Sequence, residues 1–156
     1  MRDARQAEAA LEAAFAEFRR LDALLSHYSD SSEVGRLNRE GLLEKPSEEL
    51  SANLRKAIEY GRLSRGAFDV TVQPILELYD ESFRNRGRAP SPEEIRQALR
   101  RVDYRRIRIE EGRIRLGPGQ KITLGGIAKG YAVDRALQAM RAQGVSHALV
   151  DAGGDL

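Results

Sequence analysis

Cysteine and tryptophan are absent from these 156 residues, and histidine occurs only twice. Without cysteine the chain makes no disulfide, no thiolate zinc site and no cysteine nucleophile, while its redox compartment stays unassigned. His27 and His147 are too few and too far apart in sequence for a histidine-based metal site. No apolar run approaches the roughly 20 residues of a membrane span. The opening MRDARQAEAA has no apolar signal-peptide region, so the chain as it stands reads as soluble and cytoplasmic. Aromatics are scarce at 6%, and lysine is nearly displaced by arginine, 4 against 22.

What remains is 41% hydrophobic and 32% charged, enough for a core under a heavily charged surface, which excludes a disordered tail and argues against a fibrous protein. The net charge is only +2, but eleven arginines face five acids between Arg84 and Arg115. A basic stretch of this kind suits nucleic acid or a phosphate-bearing ligand. Stacking aromatics are not interleaved with these arginines, and arginine is a habit of the whole chain, so a solvated face is the better reading and no nucleic-acid partner is expected.

Helical periodicity opens the chain. Leu11, Phe15, Phe18, Leu21, Leu24 and Leu25 fall at steps of three and four, predicting a helix over about 3–26 with that stripe in the core. The polar stretch 26–38 follows, with Ser31 or Ser32 capping a short turn that ends near Asn38. Pro46 and Ser47 open a helix to about Leu63, and 66–80 is a loop turning into a short helix around Pro74. Residues 84–91 read as a flexible connection, and Ser91–Glu94 as a capping box starting a helix to about Arg101. The period then becomes two: Ile107 and Ile109, then Ile114 and Leu116, flank Glu111-Gly112 and predict a hairpin. Residues 121–124 read as a further short strand, about 127–143 as a helix stopped by Gly144, and Ala148–Val150 as a buried strand. Helices precede strands without regular alternation, which is an α+β class. A hydrophobic strand running into a glycine turn calls for a partner strand, so the chain reads as an incomplete fragment of a larger fold; the alternative is a complete small domain with a disordered end.

Four stretches could carry chemistry. In TLGGIAKGYAVD (123–134) a glycine pair before a helix N-terminus aims backbone N–H groups and the positive dipole end at one spot, with Lys129 in the first turn; a tight turn is the alternative. In GAFDVT (66–71) a buried Phe68 between polar neighbours could bracket a flat heterocycle, against the plainer reading that Asp69 or Thr71 caps the helix holding Pro74. The loop 26–33, with Asn38, carries one aromatic, Tyr28, and alone reads as a surface connection. Asp151 and Asp155 around a glycine pair could hold a divalent cation, or simply form a turn.

Taken in order, LSHYSDSSEVGRLN, GAFDVTVQPILELY, ITLGGIAKGYAVDRA and HALVDAGGDL resemble the FAD:protein FMN transferase family, the ApbE-like flavin transferases. The resemblance covers about residues 10–156, and GGIAKGYAVDRA is its most specific part. It implies an α+β, tunnelling-fold-related architecture of which this chain is the N-terminal portion. It implies an enzyme that binds FAD and Mg²⁺, cleaves the pyrophosphate, and attaches FMN through a phosphoester to Thr or Ser of a target flavoprotein. By motif, Tyr28 would stack on or hydrogen-bond FAD, and Ala67, Phe68 and Asp69 would line the flavin or adenine pocket. Thr123 and Lys129 would contact FAD, the Gly126 carbonyl would be a Mg²⁺ ligand, and Asn38 is a further nucleotide-pocket candidate. No catalytic residue is assigned.

The chain departs from the pattern in three ways. Thr123 stands where many relatives carry an acid, and Gln73 where glycine is commoner. The resemblance also places the remaining metal ligands, an aspartate and a threonine or serine, beyond Leu156. The isolated chain is therefore expected to be inactive and to associate with itself through its unpaired strand. Many such relatives are exported, membrane-anchored lipoproteins, so localisation stays unknown. Two other readings stand beside the enzyme: a non-catalytic FAD or adenine-nucleotide-binding module, and an arginine-rich interaction domain.

Overall fold

The computed structural model describes residues 4–153, which divide into two compact units, Leu25–Leu124 and a second formed by Met1–Leu24 with Gly125–Leu156. Gly154 and Asp155, half of the acidic glycine turn, lie outside the described residues. The architecture is mixed helix and small sheet, as the α+β reading requires. No helix of the described residues is long and apolar enough to cross a membrane.

Helices α1 (Ala4–Leu25) and α6 (Ala128–Ala142) belong chiefly to the second unit. Its core is Ala10, Ala14, Ala136, Met140 and Val145, with Phe18 and Val150 packed against it. Small side chains make this packing, which corrects the predicted stripe: Leu21 and Leu25 are buried, but Leu11 and Phe15 are exposed. Glu17 accepts from Arg20 on its own helix and from Arg135 of α6, and these guanidinium contacts pull its carboxyl below the usual range. Gln6 Nε2 donates to the Gln143 carbonyl at 3.0 Å. Ala148–Val150 is not a strand; it has no ladder partner among the described residues, and Leu149 is almost fully exposed.

In the larger unit every early helix starts on a hydroxyl cap. Ser32 caps α2 (Glu33–Glu40) through the Gly35 N–H, and Ser47 caps α3 (Glu48–Leu63) through the Leu50 N–H. Glu33 joins the two caps, accepting from both the backbone N–H and the hydroxyl of Ser47. Gly35 is required by a close approach: a Cβ there would lie 2.1 Å from the Ser29 carbonyl oxygen. Helix α2 ends at Gly41 in the left-handed region, and the chain passes directly into β1 (Leu42–Glu44).

The predicted hairpin is present as β2 (Arg108–Glu110) and β3 (Arg113–Arg115), with Gly112 at φ +72° in its turn. Strand β3 is central, antiparallel to both neighbours: Leu43 faces Ile114 on one side and Ile109 faces it on the other. Ile114 is fully buried, within a core that includes Leu37, Leu50, Leu54, Val70, Ile122 and Leu124. Each fully buried side chain of that size is worth roughly 1.5–3 kcal/mol.

Helix α4 (Gln73–Arg86) is longer than predicted and takes in the start of the expected flexible connection. Ser91 and Glu94 form the predicted capping box of α5 (Pro92–Leu99), where the backbone and guanidinium donors around Glu94 hold its pKa at about 2. Residues 121–124 run without strand pairing.

Candidate functional site

Within the larger unit, three of the four chemically suggestive stretches meet at two consecutive residues, Ile122 and Thr123. Asn38, at the end of α2, donates from Nδ2 to the Ile122 carbonyl at 2.9 Å and accepts the Ile122 N–H on Oδ1 at 2.7 Å. The Thr123 N–H donates to the Val70 carbonyl at 2.9 Å. The Thr123 hydroxyl lies 3.2 Å from His27 Nδ1. Residues 84 and 96 positions apart are thereby pinned to one short extended segment, with the 66–71 loop on its other partner.

That loop is ordered by what precedes it. Helix α3 closes with the Gly66 N–H on the Gly61 carbonyl, and the Phe68 N–H donates to Ser64 Oγ. Asp69 then accepts the Thr71 N–H and hydroxyl on one oxygen, at 2.8 and 2.6 Å, and the Tyr104 N–H on the other at 3.0 Å. Thr71 Oγ1 in turn accepts the Asp103 N–H. Neither Asp69 nor Thr71 caps α4: its N-cap is Val72, with no side-chain cap bond. Asp69 instead fixes the loop against the Asp103–Tyr104 turn.

Two aromatics remain available to a flat ligand. Tyr28 is 87% exposed, with its ring centroid 3.9 Å from that of His27 and 37° between the planes. Phe68 is half-buried rather than buried, meeting Tyr60 edge-on at 6.1 Å, and Ala67 beside it is exposed. Thr123 itself is 9% exposed. Burial lowers the pKa of His27 below its ordinary value, partly opposed by the Glu77 carboxylate of α4. Glu77 is held by Lys121 Nζ at 2.6 Å and by Gln73 Nε2 at 3.3 Å.

Gly126 and Lys129 lie in the second unit. Gly126 sits in an exposed turn, and Lys129 on the exposed first turn of α6, whose N-cap Ile127 makes no side-chain cap bond. Asp151 accepts the Gly153 N–H at 3.0 Å, an ordinary side-chain turn. Among the described residues no group of three or more His, Asp or Glu could hold a metal ion. The motifs therefore bring together Tyr28, Asn38, Asp69 and Thr123 in one unit, with Asn38 and Asp69 bonded to backbone. His27 was missed; its only sequence signal is adjacency to Tyr28.

Comparison with known proteins bears on this arrangement. Residues 2–156 match the ApbE family. The FAD:protein FMN transferase of Treponema pallidum is 30% identical over 99% of this chain and 45% of its own length. That of Haemophilus influenzae is 29% identical over 87% and 42%. The crystal structure of the ApbE protein of Thermotoga maritima superposes with a TM-score of 0.78 at 34% identity, covering 87% of this chain and 45% of its own. The apo flavinyl transferase ApbE of Pseudomonas stutzeri gives 0.79 at 28% identity, covering 88% and 44%. The chain thus spans less than half the length of these relatives. By the family match along nearly its whole length, this chain belongs to the ApbE family.

Proposed function

We propose that this chain is the N-terminal portion of an FAD:protein FMN transferase and supplies much of its nucleotide-recognition surface. The reaction breaks the FAD pyrophosphate, joins the FMN phosphorus to a Thr or Ser hydroxyl oxygen of a target flavoprotein, and releases AMP. The observation that carries the reading is the convergence of the 26–38, 66–71 and 121–123 segments on Ile122 and Thr123, beside the exposed ring of Tyr28. An aromatic face next to fixed polar groups suits a flavin or an adenine. On this reading Tyr28, Ala67 and Phe68 contact the heterocycle, Asp69 and Asn38 hold the loops that present them, and Lys129 contacts FAD from the first turn of α6.

Magnesium, when bound, supplies charge neutralisation at the phosphates. The described residues do not fit it by themselves: the Gly126 carbonyl is a single oxygen, and a hard cation requires carboxylate ligands as well. The isolated chain is accordingly expected to bind FAD weakly and to transfer no FMN. The test incubates it with FAD, Mg²⁺ and a threonine-bearing acceptor, alongside a flavin-fluorescence titration with and without Mg²⁺. Flavin binding without covalent fluorescence on the acceptor is the expected result. Covalent transfer by this chain alone contradicts the assignment of its role, and no flavin binding contradicts the recognition reading.

A further inference from the structure

We infer that the open edge of β2 docks a second copy of this chain, strand against strand, antiparallel about a two-fold axis at Ile109. The inference is independent of the FAD reading. In the order β1-β3-β2 the outer side of β2 has no ladder partner among the described residues. Its backbone direction follows from the neighbouring ladder. The Leu116 N–H donates to the Gly41 carbonyl at one end of the β1–β3 pair, and the Lys45 N–H to the Gly112 carbonyl at the other. Antiparallel bonding pairs recur at every second residue, so Ile114 bonds toward β1, and Arg113 and Arg115 bond toward β2. These two face Glu110 and Arg108, which leaves the N–H and C=O of Ile109 directed out from the open edge.

The strand is complementary to itself. Centred on Ile109, the pairing lets the two isoleucines exchange both backbone bonds, and it sets Arg108 opposite the partner's Glu110 twice. Those flanking pairs fall at the non-hydrogen-bonded positions, where side chains stand closest. Both charged side chains are exposed and keep bonding capacity. Arg108 uses Nη1 on the Arg105 carbonyl and retains Nε and Nη2, while Glu110 takes Arg113 on Oε2 and retains Oε1. Charges on an edge usually guard it against pairing; opposite signs two residues apart make this one select its own copy. On the other face Ile109 is half-buried, bordering a groove with Ile58 and Ile107 that the second Ile109 extends. The other open edge, β1, has no such match, since pairing with itself sets Leu42 against Glu44. Ala148–Val150 forms no strand, so self-association is assigned to β2 instead.

The contact is small, three residues a side, so the dimer is weak, with a dissociation constant on the order of 100 μM. Sedimentation equilibrium of the full chain measures it. Arg108→Glu and Glu110→Arg each set like charges opposite one another, and the two-fold axis doubles the effect. Each single variant is expected to weaken the dimer about tenfold. The double variant, and an equimolar mixture of the two singles, are expected to recover the parent's association, because both restore opposite charges. That recovery separates a lost contact from a damaged fold. A second readout needs no variant: exchange of the Ile109 amide in the parent slows as chain concentration rises. A parent that stays monomeric at about 1 mM overturns the inference. So do single variants that dimerise like the parent, which places association on another surface such as Ala148–Val150 or the exposed Leu11 and Phe15 of α1. A mixture of singles without recovery, or an Ile109 amide indifferent to concentration, overturns it equally.

Discussion

Asn38 makes both of its side-chain bonds to a single peptide, donating to and accepting from Ile122, whose side chain is fully buried. Removing that amide leaves two backbone groups without partners in a part-buried place. Asn38→Ala is therefore expected to destabilise the chain by about 2–3 kcal/mol, read as a lowered urea midpoint with unchanged slope. Asn38→Asp keeps the acceptor and loses the donor, and falls between. Gly35→Ala tests a different force, since the added Cβ would lie 2.1 Å from the Ser29 carbonyl oxygen. The loop must move, at an expected cost above about 2 kcal/mol in the same titration. His27 supplies the pH dependence. Its folded pKa is lowered by burial, so the unfolded chain binds the proton more readily. The stability from keeping this ring neutral is present above about pH 6.5 and is lost as pH falls through the folded value. A His27→Gln chain is expected to lose that part of the acid sensitivity, seen as a flatter urea midpoint between pH 7.5 and 5.5.

At the scale of elements, what was legible in the sequence is what local chemistry decides. Ser47 and Ser91 announce their helices because a cap is a bond three residues long, and the Ser91–Glu94 box is present as read. Glu94 is held at about 2, so the box stabilises α5 above pH 4.5 and is lost as pH falls toward 2. Helicity of α5, followed by amide exchange, is expected to fall in that window for the parent but not for Glu94→Gln. What was not legible depends on distant partners. Strand β1 is only three residues, and its register is set by β3, some seventy positions on. The segments 121–124 and 148–150 are apolar enough for strands, yet neither has a ladder partner among the described residues. In α1 the periodicity holds and the face only in part: Phe18, Leu21 and Leu25 turn inward, Leu11 and Phe15 do not. Bulk pointed to Leu11 and Phe15, whereas the helix packs through Ala10 and Ala14, where small side chains permit close approach.

For the whole molecule, the site residues named by motif fall into two groups that only the fold separates. Asn38 and Asp69 are bonded to backbone and shape the loops, whereas Tyr28 and Ala67 are exposed. No spacing rule distinguishes these roles, because each depends on a partner 35 or 84 residues away. The glycine-turn motif is read through Lys129: Lys129→Ala is expected to weaken FAD binding severalfold while leaving the unfolding midpoint within about 0.5 kcal/mol of the parent. The arginine-rich stretch from Arg84 to Arg115 is the competing surface for any phosphate ligand, and it is largely exposed. The central claim, that nucleotide recognition in the larger unit resides where three segments meet at Ile122 and Thr123, is tested most directly by mapping amide and side-chain shifts of the ¹⁵N-labelled chain titrated with FAD. The account predicts shifts concentrated at His27, Tyr28, Ala67, Phe68 and Thr123, saturating together. Shifts confined to the arginines between Arg84 and Arg115, or none at those five residues, would contradict it.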